Sequence, residues 1–228
     1  MKKLIKQLPL IGPIAIAINK KLNPTHNYFP GSKNYWEARY KEGGNSGAGS
    51  YNRLAEFKAD VINRFVQKNQ IKTIIEYGCG DGNQLTLLNY PKYLGFDVSS
   101  TALLKCEALF KQDNTKTFKV MDAYSGEIAE LTLSLDVIYH LIEDQVFETY
   151  MRRLFDSSSK FVIVYASNTS DHNTDASAPH VKHRAFTEWV KKIYPGWELV
   201  DHIPSKYPYL ESDPDNTSFA DFFIYEKK

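Results

Sequence analysis

The chain has 228 residues, 43% hydrophobic and 14% aromatic, enough for one sizeable core and unlike a disordered chain. Net charge is +1, but residues 1–24 hold five lysines and no acid, leaving 23 basic against 27 acidic groups elsewhere. A body of that sign has no obvious electrostatic footprint for duplex nucleic acid, and two cysteines form neither a disulfide framework nor a metal pattern, so reduced thiols in a cytoplasmic protein are the default.

Residues 1–31 form a basic and apolar tail: Lys2, Lys3 and Lys6, the run from Leu8 to Ile18, then Lys20 and Lys21. The pattern imitates a signal peptide down to Ala15-x-Ala17. Pro9 and Pro13 break its helix, and the run is shorter than the roughly 20 residues that span a bilayer. Packing on the domain or on a partner subunit is the simpler expectation. Weak interfacial contact with a membrane through the lysines and isoleucines is the alternative.

Residues 32–228 read as a single domain, with helices and a loop over 32–71 and the core over 72–228. Ser32 to Tyr40 is predicted helical. The stretch Gly43-Gly-Asn-Ser-Gly-Ala-Gly-Ser50 has the composition of a mobile lid, or equally of a plain linker. A longer helix, from about Tyr51 to Lys68, carries Leu54, Phe57, Val61, Ile62 and Phe65 at helical spacing. From Lys72 onward strand and helix patterns alternate, the mark of a parallel sheet.

The first strand, Thr73-Ile-Ile-Glu-Tyr77, runs into Gly78-Cys-Gly-Asp-Gly82. Glycines there remove the Cβ atoms from a turn, so a ligand can touch the backbone. Glu76 is an ionisable group in an apolar strand, costly without a partner. A dinucleotide fingerprint needs a glycine at its sixth position, where this chain has Asn83. A second strand, Tyr93 to Asp97, ends in a carboxylate 21 residues beyond Glu76. Ser99 and Ser100 can cap a helix reaching about Lys111. A third strand, Thr117 to Met121, is followed by Asp122 and Ala123. A fourth is predicted over Ser134 to Tyr139, then a helix over Asp144 to Asp156. A fifth covers Phe161 to Val164 and Tyr165, with a helix over Phe186 to Ile193. Trp197 to Ile203 and Phe219 to Tyr225 finish the sheet with no helix between them.

Glu76-x-Gly-x-Gly-x-Gly82, with Asp97 and Asp122 each at a strand end, resembles the signature of class I S-adenosylmethionine-dependent methyltransferases. The resemblance implies an α/β, Rossmann-like seven-stranded sheet, six strands parallel and the last antiparallel between the fifth and sixth, flanked by helices. It implies S-adenosyl-L-methionine as cofactor. Glu76 would face its amino-acid end, with Gly78, Cys79 and Gly80 against it. Asp97 and Val98 would hold the ribose, Asp122 and Ala123 the adenine, and Tyr139 would lie close by. Tyr35 and Arg53 are candidates for closing over the cofactor; Tyr35 could instead be a core aromatic and Arg53 a surface ion pair. Tyr35 to Tyr40, Gly43 to Ser50 and Tyr51 to Lys58 are similar to methyltransferases encoded with bacterial capsule and lipopolysaccharide genes. The expected activity is therefore O-methylation of a sugar hydroxyl or phosphate-type group in a surface-polysaccharide precursor. A small-molecule methyltransferase of other metabolism, or an inactive cofactor-binding partner of a glycan enzyme, stands as the alternative.

Ligands of open α/β sheets bind beyond the carboxyl ends of the strands. That selects His140 after the fourth strand, Asp171, His172, His180, His183 and Arg184 after the fifth, and Lys206, Tyr207 and Tyr209 after the sixth. An alcohol acceptor needs a base, and imidazole suits it near neutral pH. His140, one residue beyond its strand, is the first candidate, or it only orients the pocket; His180 and His183 follow. Arg184, with Lys182, would hold an anionic acceptor, or belong to a solvated basic cluster. Tyr207 is a further candidate for acceptor binding. His180 and His183 lack a third ligand at zinc spacing, so no metal is expected.

Overall fold

A computed structural model describes residues 29–169 and 178–228. The expectations for the tail up to residue 28, and for Asp171 and His172, lie outside them. Among the described residues no helix is long and apolar enough to cross a membrane.

The first helix, α1 (Ser32–Lys41), leads through a short 3-10 turn at Ala48–Ser50 into α2 (Asn52–Lys68). The sheet then begins with β1 (Thr73–Tyr77) and β2 (Lys92–Asp97), followed by α3 (Ser100–Leu109) and β3 (Lys116–Val120). β4 (Ala129–Leu135), α4 (Asp144–Asp156) and β5 (Ser158–Ala166) come next. The chain closes with α5 (Phe186–Ile193), β6 (Trp197–Ile203) and β7 (Asp221–Lys227). Strand order is β3-β2-β1-β4-β5-β7-β6, and β7 runs antiparallel to both β5 and β6. The expected seven-stranded topology, with the last strand inserted and reversed, is the one observed.

Successive strand residues point to opposite faces, and the core divides accordingly. Ile74, Leu131, Ile163 and Phe222 pack on one face with Ile62 and Val66 of α2. Ile75, Val162, Val164 and Phe223 pack on the other with Phe147, Met151 and Leu154 of α4 and Val190 of α5. Both faces are covered, which is why these strands read as near-continuous apolar runs.

Two elements depart from expectation. The crossover from β1 to β2 holds no α-helix, only a 3-10 turn at Gln84–Leu87. Three glycines, two asparagines and Pro91 within residues 78–91 leave little chain that favours a helix. Leu85, Leu88 and Tyr90 fill the space instead. The fourth strand ends at Leu135 instead of Tyr139. Asp136 takes a left-handed φ of 59°, which an Asp tolerates, and Ile138–His140 then turn as 3-10 helix. That early stop puts Asp136, Tyr139 and His140 around a corner at the carboxyl end of the sheet.

Candidate active site

A cavity of about 330 Å³ lies over the carboxyl ends of β1, β2 and β4. The glycine turn forms its floor. Gly78 and Gly80 have φ of 81° and 61°, and a Cβ on them would lie 2.5 Å from Val137 Cγ2 and 2.3 Å from Ser46 Oγ. Conformation and neighbours together exclude side chains at both positions. Asp97 lines the cavity at the end of β2; its Oδ2 accepts the Gly80 N–H at 2.9 Å and its Oδ1 the Ser99 N–H at 2.8 Å. With the Val98 N–H as a third backbone donor, the carboxylate still keeps lone-pair capacity for a ligand hydroxyl. Burial pushes the Asp97 carboxyl up to about 6 against the pull of those backbone donors.

Glu76 is buried beside it and accepts the Tyr93 hydroxyl at 2.8 Å. Burial pushes its carboxyl up to about 7, while Tyr93 and the Lys58 charge pull it down. A carboxyl whose folded pKa is raised stabilises the fold below its unfolded value and loses that contribution as pH rises through the folded value. Stability should therefore fall between about pH 4.5 and pH 7 on account of Glu76. Thermal unfolding of Glu76→Gln, measured across that window, should lack this part of the slope; an unchanged slope would assign it elsewhere.

The loop over 43–50 is folded down onto the glycine turn. Ser46 N–H and the Tyr51 hydroxyl both donate to Asp81 Oδ2, at 3.0 and 2.8 Å, and the Asp81 N–H donates to Ser46 Oγ. Burial pushes Asp81 up, but the donors from Ser46, Tyr51 and Asn83 outweigh it and hold the carboxyl below its ordinary value. α1 roofs the cavity. Ser32 reaches Glu143 and the His140 carbonyl, Glu37 accepts Thr101 Oγ1, and Lys33 pairs with Asp122.

One end of the cavity is charged. Lys58, on α2 with its side chain 1% exposed, donates to Asp136 Oδ2 at 2.5 Å. The Tyr139 hydroxyl donates to Asp136 Oδ1 at 2.9 Å. Gln84 gives its amide N–H to the Ala55 carbonyl, leaving Oε1 buried without a partner among the described residues. Lys58, Glu76, Gln84 and Asp136 all line the cavity. Three of these four escaped the sequence reading. The signal for Lys58 was present: it shares the helical face of Leu54, Val61 and Ile62, where a solvated lysine has no place.

His140 also lines the cavity. Its Nδ1 lies 2.9 Å from the His180 carbonyl. A carbonyl only accepts, so Nδ1 carries the proton and the neutral ring keeps its lone pair on Nε2. Trp36 meets the ring edge-on at 4.9 Å and His180 stacks on it at 5.5 Å. Burial pushes the His140 pKa down to about 4. His180 is sandwiched between His140 and Tyr35, whose ring lies 4.8 Å away. His183 Nδ1 sits 2.6 Å from Ser167 Oγ, behind Tyr139 and away from the cavity walls.

Of the other expected site residues, some line the cavity and others do not. Val98 and Cys79 line the cavity, and the Cys106 thiol and burial push the Cys79 thiol well up, so it is no thiolate nucleophile. Asp122 is 75% exposed and paired with Lys33, Ala123 is exposed, and Met121 takes the place in the cavity wall. Arg53 does not close over the cavity. Its Nε donates to the Asn216 carbonyl and its guanidinium lies over Tyr207, because α2 packs against the loop over 204–220. Tyr35 faces a shallow groove on the far side of α1. Arg184 is committed to the carbonyls of Leu141 and Ile142 and to Asp144, which Lys182 also pairs. The expected anionic handle is thus satisfied by the N-terminal end of α4. No group of three potential metal ligands stands together among the described residues.

No protein-family model and no curated protein matches the sequence. Solved structures do. The N-methyltransferase NodS from Bradyrhizobium japonicum WM9, in complex with S-adenosyl-L-homocysteine, superposes with a TM-score of 0.65 at 13% identity, covering 86% of this chain and 98% of that one. The chain has the fold of the class I methyltransferases. Magnesium protoporphyrin IX methyltransferase from Synechocystis PCC 6803, with bound S-adenosylmethionine, gives a TM-score of 0.62 at 12% identity over 89% of this chain and all, 100%, of that one. The methyltransferase domain of bacterial CtHen1-C gives 0.59 at 17% identity over 77% and 99%. Identities this low establish the methyltransferase fold and leave the reaction to the site.

Proposed function

We propose that the protein is an S-adenosylmethionine-dependent methyltransferase acting on an oxygen of a small-molecule or glycan-precursor acceptor. The similarity over residues 35–58 favours a bacterial surface-polysaccharide precursor. The observation that carries the cofactor reading is the cavity itself, with its bare glycine turn, a strand-end carboxylate with spare lone pairs, and an orphaned buried amide oxygen. These are the groups that a zwitterionic nucleoside needs. Asp97 would accept the ribose hydroxyls, and Val98 and Met121 would flank the base. Lys58 would meet the amino-acid carboxylate, and Gln84 Oε1 with Glu76 or Asp136 its ammonium.

S-adenosylmethionine supplies, when bound, a methyl group made electrophilic by the sulfonium. The chain's contribution is position and proton handling. α1 and the folded-down loop supply part of the cavity wall, and His140 Nε2 would take the proton of the acceptor hydroxyl.

Calorimetry with S-adenosylhomocysteine tests the reading. The native protein should bind it, and Asp97→Ala should weaken binding by about 1–3 kcal/mol, the worth of charge-assisted hydrogen bonds. Asp97→Asn, which keeps one acceptor for the Gly80 N–H, separates the ribose contact from loop support. Full-strength binding by Asp97→Ala would remove the ribose role, and preference for NAD would remove the reading. Incubation with labelled cofactor and nucleotide-sugar pools would then identify the acceptor.

A further inference from the structure

The loop between α1 and α2 has the build of a moving part. Residues 43–50 read Gly-Gly-Asn-Ser-Gly-Ala-Gly-Ser, and none of them is buried. A segment of that kind adds nothing to the apolar core, so hydrogen bonds are what holds it down. Asp81 Oδ2 accepts the Ser46 N–H, while Ser46 Oγ accepts the Asp81 N–H and lies 2.8 Å from the Tyr40 hydroxyl. Arg39 Nε donates to the Asn45 carbonyl at 2.7 Å, and Lys105 Nζ to the Gly44 carbonyl at 3.0 Å.

Two glycines bracket this clasped segment. Gly43 and Gly47 have φ of 86° and 90°, and a Cβ on either would meet nothing within 4 Å. Their surroundings are open, but their backbone is not permissive. Gly47, with ψ of 169°, occupies a region that is essentially glycine's alone. Room on all sides and a chain without Cβ let both positions absorb a change of φ and ψ, as hinges do.

The clasped segment lies on the glycine turn. Ser46 lines the same cavity as Gly80, Lys58, Glu76 and Gln84. That end of the cavity is sealed: Lys58 is 1%, Glu76 4% and Gln84 6% exposed. The roof beside it is better anchored. α1 buries Ser32 and Tyr40 near its two ends, and Ser32 also bonds Glu143 and the His140 carbonyl. Between these two parts of the wall, the loop is the one that opens without uncovering core.

We propose that Gly44 to Ser46 is a gate, hinged at Gly43 and Gly47 and latched by Asp81. It opens to pass the amino-acid end of a zwitterionic nucleoside into and out of the cavity, and closes on the empty and the loaded protein alike. The inference rests on the methyltransferase reading, which sets that end of the ligand beside Lys58 and Gln84.

Stopped-flow binding of S-adenosylhomocysteine to the full chain tests the gate, with tryptophan fluorescence as the signal because Trp36 lines the cavity. Two variants loosen the closed loop without changing a residue of the cavity wall. Tyr51→Phe removes one of the two donors to Asp81 Oδ2. Gly47→Ala removes no hydrogen bond and strains only the closed backbone. Each should raise the association and dissociation rates together by about tenfold, the rate equivalent of one hydrogen bond to a charged group or one strained residue. The dissociation constant should stay within about threefold of native, because closed states with and without ligand lose the same support. Exchange of the Ser46 amide, followed by NMR on the ligand-free proteins, should quicken in step while the amides of α2 keep their rates.

The proposal is overturned if either variant leaves both rates at the native value, since the ligand then enters elsewhere. It is overturned if dissociation alone quickens, which would make the loop a binding wall and not a gate. Faster binding and release without faster exchange of the Ser46 amide would overturn it too. A native chain that gives no heat with S-adenosylhomocysteine in calorimetry overturns the methyltransferase reading and the gate together, a result that binding at unaltered rates cannot imitate.

Discussion

His140→Asn is expected to slow methyl transfer to the acceptor by about 10²-fold while S-adenosylhomocysteine affinity stays within about twofold. Asn can still donate an amide N–H toward the His180 carbonyl, so the hydrogen bond that fixes the ring's place has a substitute. What it cannot supply is the lone pair of Nε2. The size of the effect follows from the pKa. Burial pushes His140 down to about 4, so the ring is neutral and ready across the physiological range but is a weak base. General-base assistance spans about 10²–10⁴-fold, and a base this weak belongs at the lower end. The same value sets the pH profile. With the folded pKa below the ordinary histidine value, the acid limb of turnover should fall near pH 4, not near pH 6.5. Tracking the imidazole C–H resonance of His140 against pH gives the midpoint without any acceptor. Parallel loss of S-adenosylhomocysteine binding and turnover in His140→Asn would mean that the ring only shapes the cavity. Near-native turnover would mean that the acceptor oxygen needs no base.

The parts of this site that the sequence displays are those tied to backbone conformation. Gly78 and Gly80 are legible because positive φ and close neighbours admit no other residue, and Asp97 because a strand ends there. The sheet order comes from the resemblance, which implies a reversed last strand between the fifth and sixth, and two terminal strands without a helix between them agree with the antiparallel pairing observed. What the sequence hides depends on where long side chains turn after the backbone is placed. Arg184 and Lys182 look like a free basic cluster, yet Asp144 takes both, and nothing in the local pattern announces a partner some 40 residues away. Arg53 likewise leaves the cavity for the Asn216 carbonyl, a contact across 163 residues. Asp122 has the right position in the chain, but the 3-10 turn at Met121–Ala123 sends its carboxylate outward to Lys33.

Lys58 shows how an overlooked residue becomes the most consequential one. Lys58→Met keeps the length and apolar stem of the side chain and removes only the ammonium. It should lower stability by about 3 kcal/mol, within the range for breaking a buried ion pair from one side. For a chain of this size that corresponds to a fall of about 6–12 °C in Tm. The penalty comes from Asp136, which would keep only the Tyr139 hydroxyl for a carboxylate that is 12% exposed. Asp136 has no easy escape, because its backbone sits in a left-handed turn whose N–H is held by the Tyr165 carbonyl at 2.9 Å. The double variant Lys58→Met with Asp136→Asn should recover much of the loss, since it buries no unpaired charge, and the coupling between the two sites should exceed about 1 kcal/mol. Chemical denaturation of the four proteins measures that cycle. S-adenosylhomocysteine titrated into the double variant and into Asp136→Asn alone measures something independent of folding: if Lys58 meets the cofactor's carboxylate, the double variant should bind about tenfold or more weaker than Asp136→Asn even where stability is restored. Restored stability with an affinity equal to that of Asp136→Asn would make Lys58 a structural cation alone.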